Sequence, residues 1–505
     1  AGLTTDDSNT ATTATLVNMT TAQVLSAPIP YVADASGAWT NTGTWQYGSD
    51  WDVTSLPNKD WMIIQVTNNA KVTTTASHTH LGLLVDSGSE LEVQNDQLLN
   101  NTSYVKLDGQ IDLVGESQLI QTMNSDLDVT SAGYLERDQD GKSNLFQYNF
   151  WSSPVGTINN TVNNQAYSVA GILRDGTTPA TPQAITFNTA SYNGAPGAPI
   201  TLADFWVFQF ENQADLYANW NQERSTGSIA VAEGYTMKGS GAASATQNYT
   251  FVGKPNNGTI QHTVGGNNKY LLGNPYPSAL DADAFINANI GANPSTTGTL
   301  YFWEHWGGTS HLLAMYEGGY ATYNLLGGVL AISDPMVSSN GSGTLAPQQY
   351  VPVSQGFMVQ GDPDGGTVDF TNAQRVFEKE SGGNSTFIRA AAEASENDIN
   401  SEAAVDKVYF TFTTPEGPTR QLLLGVKEGL TEGVEHGYDA KRFREQHTDC
   451  GWDILAESYV IQGIGAVYAD LELPLIIKVG TAGKCHFNID SLADLDESIE
   501  VYFKD

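Results

Sequence analysis

The stretch that decides the fold runs from Leu83 to Arg137 and contains LLVDSGSELEV (Leu83–Val93), VKLDGQIDLV (Val105–Val114) and LDVTSAGYLER (Leu127–Arg137). Each alternates apolar and polar residues, the two-residue period of a half-buried strand, and each breaks at a corner of small residues. The corner glycines Gly88, Gly109 and Gly133 stand 21 and 24 residues apart. That is close to one coil of a β-solenoid, in which a coil buries its inward side chains only by stacking on the next. So short a stack has to be closed at its ends, and Trp39–Trp51 and the aromatic run Phe146–Trp151 are the expected caps.

Beyond this stretch the chain repeats itself. NFWSSPVG (Asn149–Gly156) aligns with GNPYPSAL (Gly273–Leu280), DFWVFQF with LYFWEHW, VAEGYTMKG (Val231–Gly239) with VSQGFMVQG (Val353–Gly361), and QNYTFVG with GTVDFTN. The matches keep their order at offsets mostly near about 120 residues, as expected of tandem modules. Two β modules are therefore expected at 148–265 and 266–383, after an N-terminal extension (1–38) and the solenoid with its caps (39–147). An acidic, weakly apolar stretch makes 384–405 a linker. KVYFTFTT, TRQLLLGV, SYVIQGI, LPLIIKV and IEVYFKD then read as strands of a β-sandwich over 406–505. The predicted fold class is all-β, with helix confined to single turns at Ala282–Ala288 and Ala390–Ala394.

Composition narrows the function. The 505 residues carry 22 Lys+Arg against 56 Asp+Glu, a net charge of −34 that repels phosphate backbones and anionic lipid surfaces, so no nucleic-acid partner is expected. Charged residues make up only 15% and there are 50 glycines; neutral, turn-rich surfaces of this kind suit β proteins outside the cytoplasm. No apolar run reaches the roughly 18 residues a membrane span needs, so no membrane insertion is expected. Ala1 opens no basic-then-apolar leader, which reads as a mature chain or an excised piece. The two cysteines, Cys450 and Cys485, form either one local disulfide or two free thiols.

Motifs of catalysis are missing. There is no G-x-S-x-G and no H-E-x-x-H, and Gly141-Lys142-Ser143 has Glu136 where a phosphate loop needs its first glycine. His78-Thr79-His80 would place two imidazoles on one strand face, either as a metal pair or as plain surface. Asp138, Asp140 and Asn144 around Gly141 are a calcium-loop candidate, the single cofactor considered, and Asp362/Asp364 and Asp281/Asp283 are lesser ones; ordinary solvated turns explain all three. Trp303, Glu304, His305 and Trp306, with His311 nearby, could line a glycan site. Their counterparts Trp206, Phe208, Phe210 and Trp220 in the first module favour packing instead.

The strings YNFWSSPVG, YTFVGKPNNGTI, LLGNPYPSALDADAFI, TLYFWEHW, VSQGFMVQG and YVIQGI…LPLIIKVGTAGKCHFNID resemble stretches of large secreted surface proteins of Bacteroidota exported by the type IX secretion system. The resemblance covers about 148–505 and includes adhesins, gliding-motility adhesins, fibre-forming proteins and some polysaccharide-degrading enzymes. It implies an extracellular, cell-surface location and a translocon partner that reads a sorting domain beyond VYFKD. It supplies no catalytic residue. The expectation is a non-enzymatic adhesive or filament-forming rod without an obvious cleft, whose partners are further copies, other surface proteins or glycans. The alternative is a polysaccharide-binding or polysaccharide-degrading surface protein.

Overall fold

The computed structural model describes residues 30–46, 62–388, 406–493 and 501–504, and, as backbone alone, the antiparallel strands Gly2–Thr5, Thr13–Asn18 and Gln23–Pro28. Among them the fold is almost wholly β, and no helix is long and apolar enough to cross a membrane.

The N-terminal unit is a β-solenoid of about four turns with two parallel sheets. One sheet stacks Tyr31–Ala33, Ile63–Val66, His78–Val85, Leu98–Leu107 and Gln118–Gln121; the other stacks Gly37–Ala38, Lys71–Thr74, Glu90–Val93, Gln110–Leu113 and Tyr134–Lys142. The register puts like on like. Tyr31, Ile64, Leu83, Val105 and Leu127 form one inward column, and Val72, Leu91, Ile111 and Leu135 another, all buried. Each such side chain contributes roughly 1.5–3 kcal/mol through burial that a single coil could not provide. The corners explain Gly109 and Gly133, which occupy equivalent positions 24 residues apart, whereas the register puts Ser89 rather than Gly88 opposite Gly109. A Cβ on Gly109 would lie 2.3 Å from the Ser89 carbonyl oxygen and 2.4 Å from that of Asp86, and one on Gly133 would lie 2.1 Å from the Gly109 oxygen. Only glycine lets successive coils approach this closely.

The caps differ from expectation at one end. Trp39 and Trp45 are buried at the first end with rings 4.8 Å apart, the Trp45 indole donating to the Trp39 carbonyl at 2.7 Å, while 47–51 lie outside the described residues. At the other end the second sheet is continued by Thr246–Pro255, antiparallel to Tyr134–Lys142 over eight residue pairs. The closing strand thus comes from about a hundred residues further on, and Trp151 of the expected aromatic cap packs behind it against Tyr249.

The repeated strings build equivalent sheets. In the first copy Tyr148–Trp151, Tyr235–Lys238, Phe208–Gln209 and Asn221–Gln222 lie side by side in that order. In the second, Lys269–Gly273, Gly356–Gly361, Thr296–Gly307 and Glu317–Asn324 do the same, extended by Gly327–Val329. Trp151 faces Tyr235 and Leu272 faces Phe357, so equivalent positions are 121 residues apart on the first strand and 122 on its partner, and Asn149 corresponds to Tyr270. The alignment of Asn149–Gly156 with Gly273–Leu280 is therefore three residues out of register. Two isolated bridges, Trp151↔Gln355 and Glu233↔Leu272, join the copies and are exchanged when the copies are swapped, a pseudo-two-fold contact.

The C-terminal unit, expected as a sandwich, is one curled seven-stranded sheet. Its buried face, with Leu422, Trp452 and Ile461, packs on Leu326 and Val329 of the second copy. The start of the expected linker is not loose. Phe387 packs on Trp151 with centroids 4.9 Å apart, and the Ile388 amide donates to Gln355 Oε1 at 2.7 Å; 389–405, including Ala390–Ala394, lie outside the described residues. The other expected turn is the helix Ala282–Asn289, capped by Asp281 Oδ1, which accepts from the amides of Asp283 (2.9 Å) and Ala284 (3.2 Å).

Candidate functional site

Alternation along the two repeated sheets brings aromatic side chains to their shared edge. Tyr148 and Phe150 point the same way from one strand of the first copy, as Trp303 and His305 do from the second. Phe150 lies on Trp303 with centroids 5.9 Å apart and planes 17° apart, and Tyr320 meets Trp303 edge-on at 5.0 Å. The strand Phe208–Gln209 adds Phe208, and the segments around it add Trp206, Tyr217 and Trp220. Together they line a cavity of about 680 Å³ whose wall also includes Arg444 of the C-terminal sheet. A rod without a cleft was expected; the cleft forms because the copies meet edge to edge. At its mouth Tyr192, Tyr217 and Leu312 are 57%, 56% and 69% exposed.

Polar groups sit at the two ends. At one, Lys238 Nζ lies 3.7 Å from the Trp206 ring centroid, donates to the Tyr316 hydroxyl at 2.9 Å and meets His311 Nδ1 at 3.2 Å. Burial pushes the Lys238 ammonium down to about 6, against the pull of the ring faces around it. His311 stacks on Trp206 at 4.7 Å and its Nε2 meets Asn193 Oδ1 at 2.6 Å. Burial and then the Lys238 charge lower it to about 4, so it is a neutral imidazole donating through Nε2 and accepting at Nδ1. At the other end Arg444 reaches Asp334 at 2.6 Å and Asp215, and Lys269 reaches Asp215 at 2.9 Å. Burial would raise the Asp215 carboxyl, but Lys269 and Arg444 hold it below its ordinary value. These ion pairs tie both copies to the C-terminal sheet.

The glycan quartet does not converge. Trp303 lines the cavity, while Glu304 points to the opposite face, fully buried, and accepts from the Thr344 amide at 3.1 Å. His305 is buried, with Nδ1 accepting from the Tyr148 amide at 3.0 Å, and Trp306 donates to the Asn340 carbonyl at 3.2 Å. Strand alternation splits the four onto two faces, Trp303 and His305 on one and Glu304 and Trp306 on the other.

The calcium candidate is also re-placed. Asp138 and Asp140 lie on the strand Tyr134–Lys142 rather than in a loop, and Asn144 follows it, exposed, accepting from the Phe146 amide. Asp138 is buried and accepts from the Thr250 hydroxyl at 2.6 Å. Asp362 instead bonds His436 Nε2 at 2.7 Å, and Asp283 accepts from the Tyr323 hydroxyl at 2.8 Å. Cys450 and Cys485 are free thiols, the first buried and pushed up to about 12 by that burial and then by Asp449.

The histidine pair is interior, not surface. His78 and His80 face into the solenoid, Trp39 stacks on His78 at 4.0 Å, and burial lowers the two to about 3 and about 4. On the outside of the second sheet Glu90, Glu92 and Asp112 present carboxylate oxygens within 4.8 Å of one another. Lys71 pairs with both glutamates, at 2.7 Å to Glu90, and supplies their counter-charge.

The family model described as Domain of unknown function (DUF8693) matches residues 182–505, more than half of the chain and most of the cavity wall. No curated protein and no solved structure matches.

Proposed function

We propose, from the premise that the chain belongs to the DUF8693 family, that it is a non-enzymatic adhesive protein of the cell surface, exported by the type IX route, that takes hold of its ligand in the aromatic cavity. The observation that carries the reading is the cavity itself. Its volume falls within the roughly 300–1,000 Å³ of small-molecule sites, and rings from two equivalent sheets converge on it. The charged groups at its Arg444 end are matched in ion pairs across three structural units, which suits holding a ligand better than moving protons. The solenoid supports the same reading as a stiff spacer, since its last coil runs by backbone pairing into the module that bears the cavity. Ring faces are also what a polysaccharide would stack on, so the alternative uses the same place.

The test is adhesion by beads coated with the full chain, to surfaces of graded hydrophobicity and to immobilised polysaccharides. Beads carrying the Tyr217→Ala/Leu312→Asp double variant, both positions being exposed, are expected to detach several-fold more readily. Equal adhesion by the two would overturn the assignment of the cavity.

A further inference from the structure

The cavity wall is mostly aromatic ring surface, and many of its polar groups are spoken for, the buried Trp303 indole Nε1 being left without a partner among the described residues. The Trp206 indole donates to the Tyr192 carbonyl at 2.6 Å, and the Thr236 hydroxyl to the Trp206 carbonyl at 3.0 Å. The Tyr316 hydroxyl accepts from Lys238 and donates to the His311 carbonyl at 3.1 Å. Both nitrogens of His311 are engaged, one with Lys238 and one with Asn193. The Arg444 fork is divided between Asp334 and Asp215. Asp334 in turn accepts from the Met336 amide at 2.9 Å.

A saccharide brings several hydroxyls per ring and would bury most of them here against partners already committed, the Trp303 indole being the one buried donor left to meet them, a costly mismatch for the rest. An ion finds little excess charge: Arg444 and Lys269 are balanced by Asp215 and Asp334, and Lys238 is held among the rings of Trp206 and Tyr316, its ammonium disfavoured by burial. An apolar ring instead replaces water on wall and mouth together, and the mouth already exposes Tyr192, Tyr217 and Leu312.

We infer that the cavity takes an uncharged, apolar guest with a flat ring system, of a size that about 680 Å³ accommodates, and not a carbohydrate. This rests on the reading of the cavity as the binding site and fixes the chemistry of what enters it. Two sources share that chemistry: a free ring compound, and an apolar ring carried on a larger lipid or peptide. Trp206, Trp220 and Trp303 would form its walls and the mouth residues its lip.

The experiment titrates the full chain with N-phenylnaphthylamine, an uncharged fluorescent ring probe, then adds soluble gluco-oligosaccharides as competitors. Saturable binding is expected, weakened about tenfold or more by Leu312→Asp and by Tyr217→Ala and unmoved by millimolar oligosaccharide. Displacement by an aromatic peptide or by a detergent monomer distinguishes the two sources. Oligosaccharide binding that the same variants abolish, with no probe binding, would overturn the apolar assignment and leave the cavity as the binding site. If neither binds, or both bind the variants and the parent equally, the binding-site reading falls as well.

Discussion

Asp112→Asn isolates the electrostatics of the solenoid's acidic row. Along the outer face of the second sheet Thr73, Glu92, Asp112 and Glu136 stand opposite one another in successive strands. Burial, then Glu136, Asp138, Glu92 and Glu90, push the Asp112 carboxyl up to about 7. A carboxyl raised in the folded state holds its proton where the unfolded chain has lost it. Its cost to stability is absent below about pH 4, grows through pH 4–7 and is complete above pH 7. A rise of about three units corresponds to about 4 kcal/mol in full. Because the group is part-exposed and solvent-screened, about 1–2 kcal/mol is expected. Asparagine keeps the shape and removes the charge, so Asp112→Asn should stabilise its coil by that amount at pH 8.5 and by nothing at pH 4. Hydrogen exchange of the Gln110–Leu113 amides in moderate urea reads the local effect. A loss of protection at pH 8.5 that follows calcium and is abolished by chelator would refute the reasoning, since the carboxylates would then be serving a cation and not repelling one another.

The remaining predictions concern the frame around the cavity. Gly109→Ala should cost about 3 kcal/mol or more, because the obstructing atoms are backbone; Gly258→Ala, at φ +75° with nothing within 4 Å, should cost only about 1–2 kcal/mol of backbone strain, and thermal melts compare them. His78 and His80 are neutral when folded but titrate near 6.5 when unfolded, so solenoid stability should fall as pH drops below about 6.5, by up to about 1.4 kcal/mol per pH unit for each ring. The slope should disappear from denaturant melts of the His78→Gln/His80→Gln chain. Arg444→Met leaves the buried Asp334 carboxylate without its cation, while Asp215 keeps Lys269, and should cost about 3 kcal/mol, read as earlier proteolysis between the second copy and the C-terminal sheet.

The solenoid was legible because its signals are local: period-two alternation and small-residue corners, with glycine at Gly109 and Gly133 where no side chain fits. The repeat was legible from ordered strings, although its first two matches slipped by three residues, since turn-rich strands fix their register through partners far along the chain. Period two says that His78 and His80 share a face, but not which face, and the interior position follows from stacking on Leu99 and Asn101 of the next coil. Asp138-Gln139-Asp140-Gly141 carries turn chemistry that pairing with Thr246–Pro255 overrides. The cavity was half visible. Trp206, Phe208, Trp220 and Trp303 were singled out, but their convergence depends on the edge-to-edge meeting of the copies, and Tyr192, Tyr217 and Leu312 lie in loops without a periodic signal.

The central claim, that the aromatic cavity is where this protein binds, is tested most directly by a crystal structure of the full chain grown with N-phenylnaphthylamine. The account predicts density for the ring system between Trp206, Trp220 and Trp303, with Tyr217 and Leu312 closing over it. A cavity filled by its own collapsed side chains, with the probe elsewhere or absent, would contradict it.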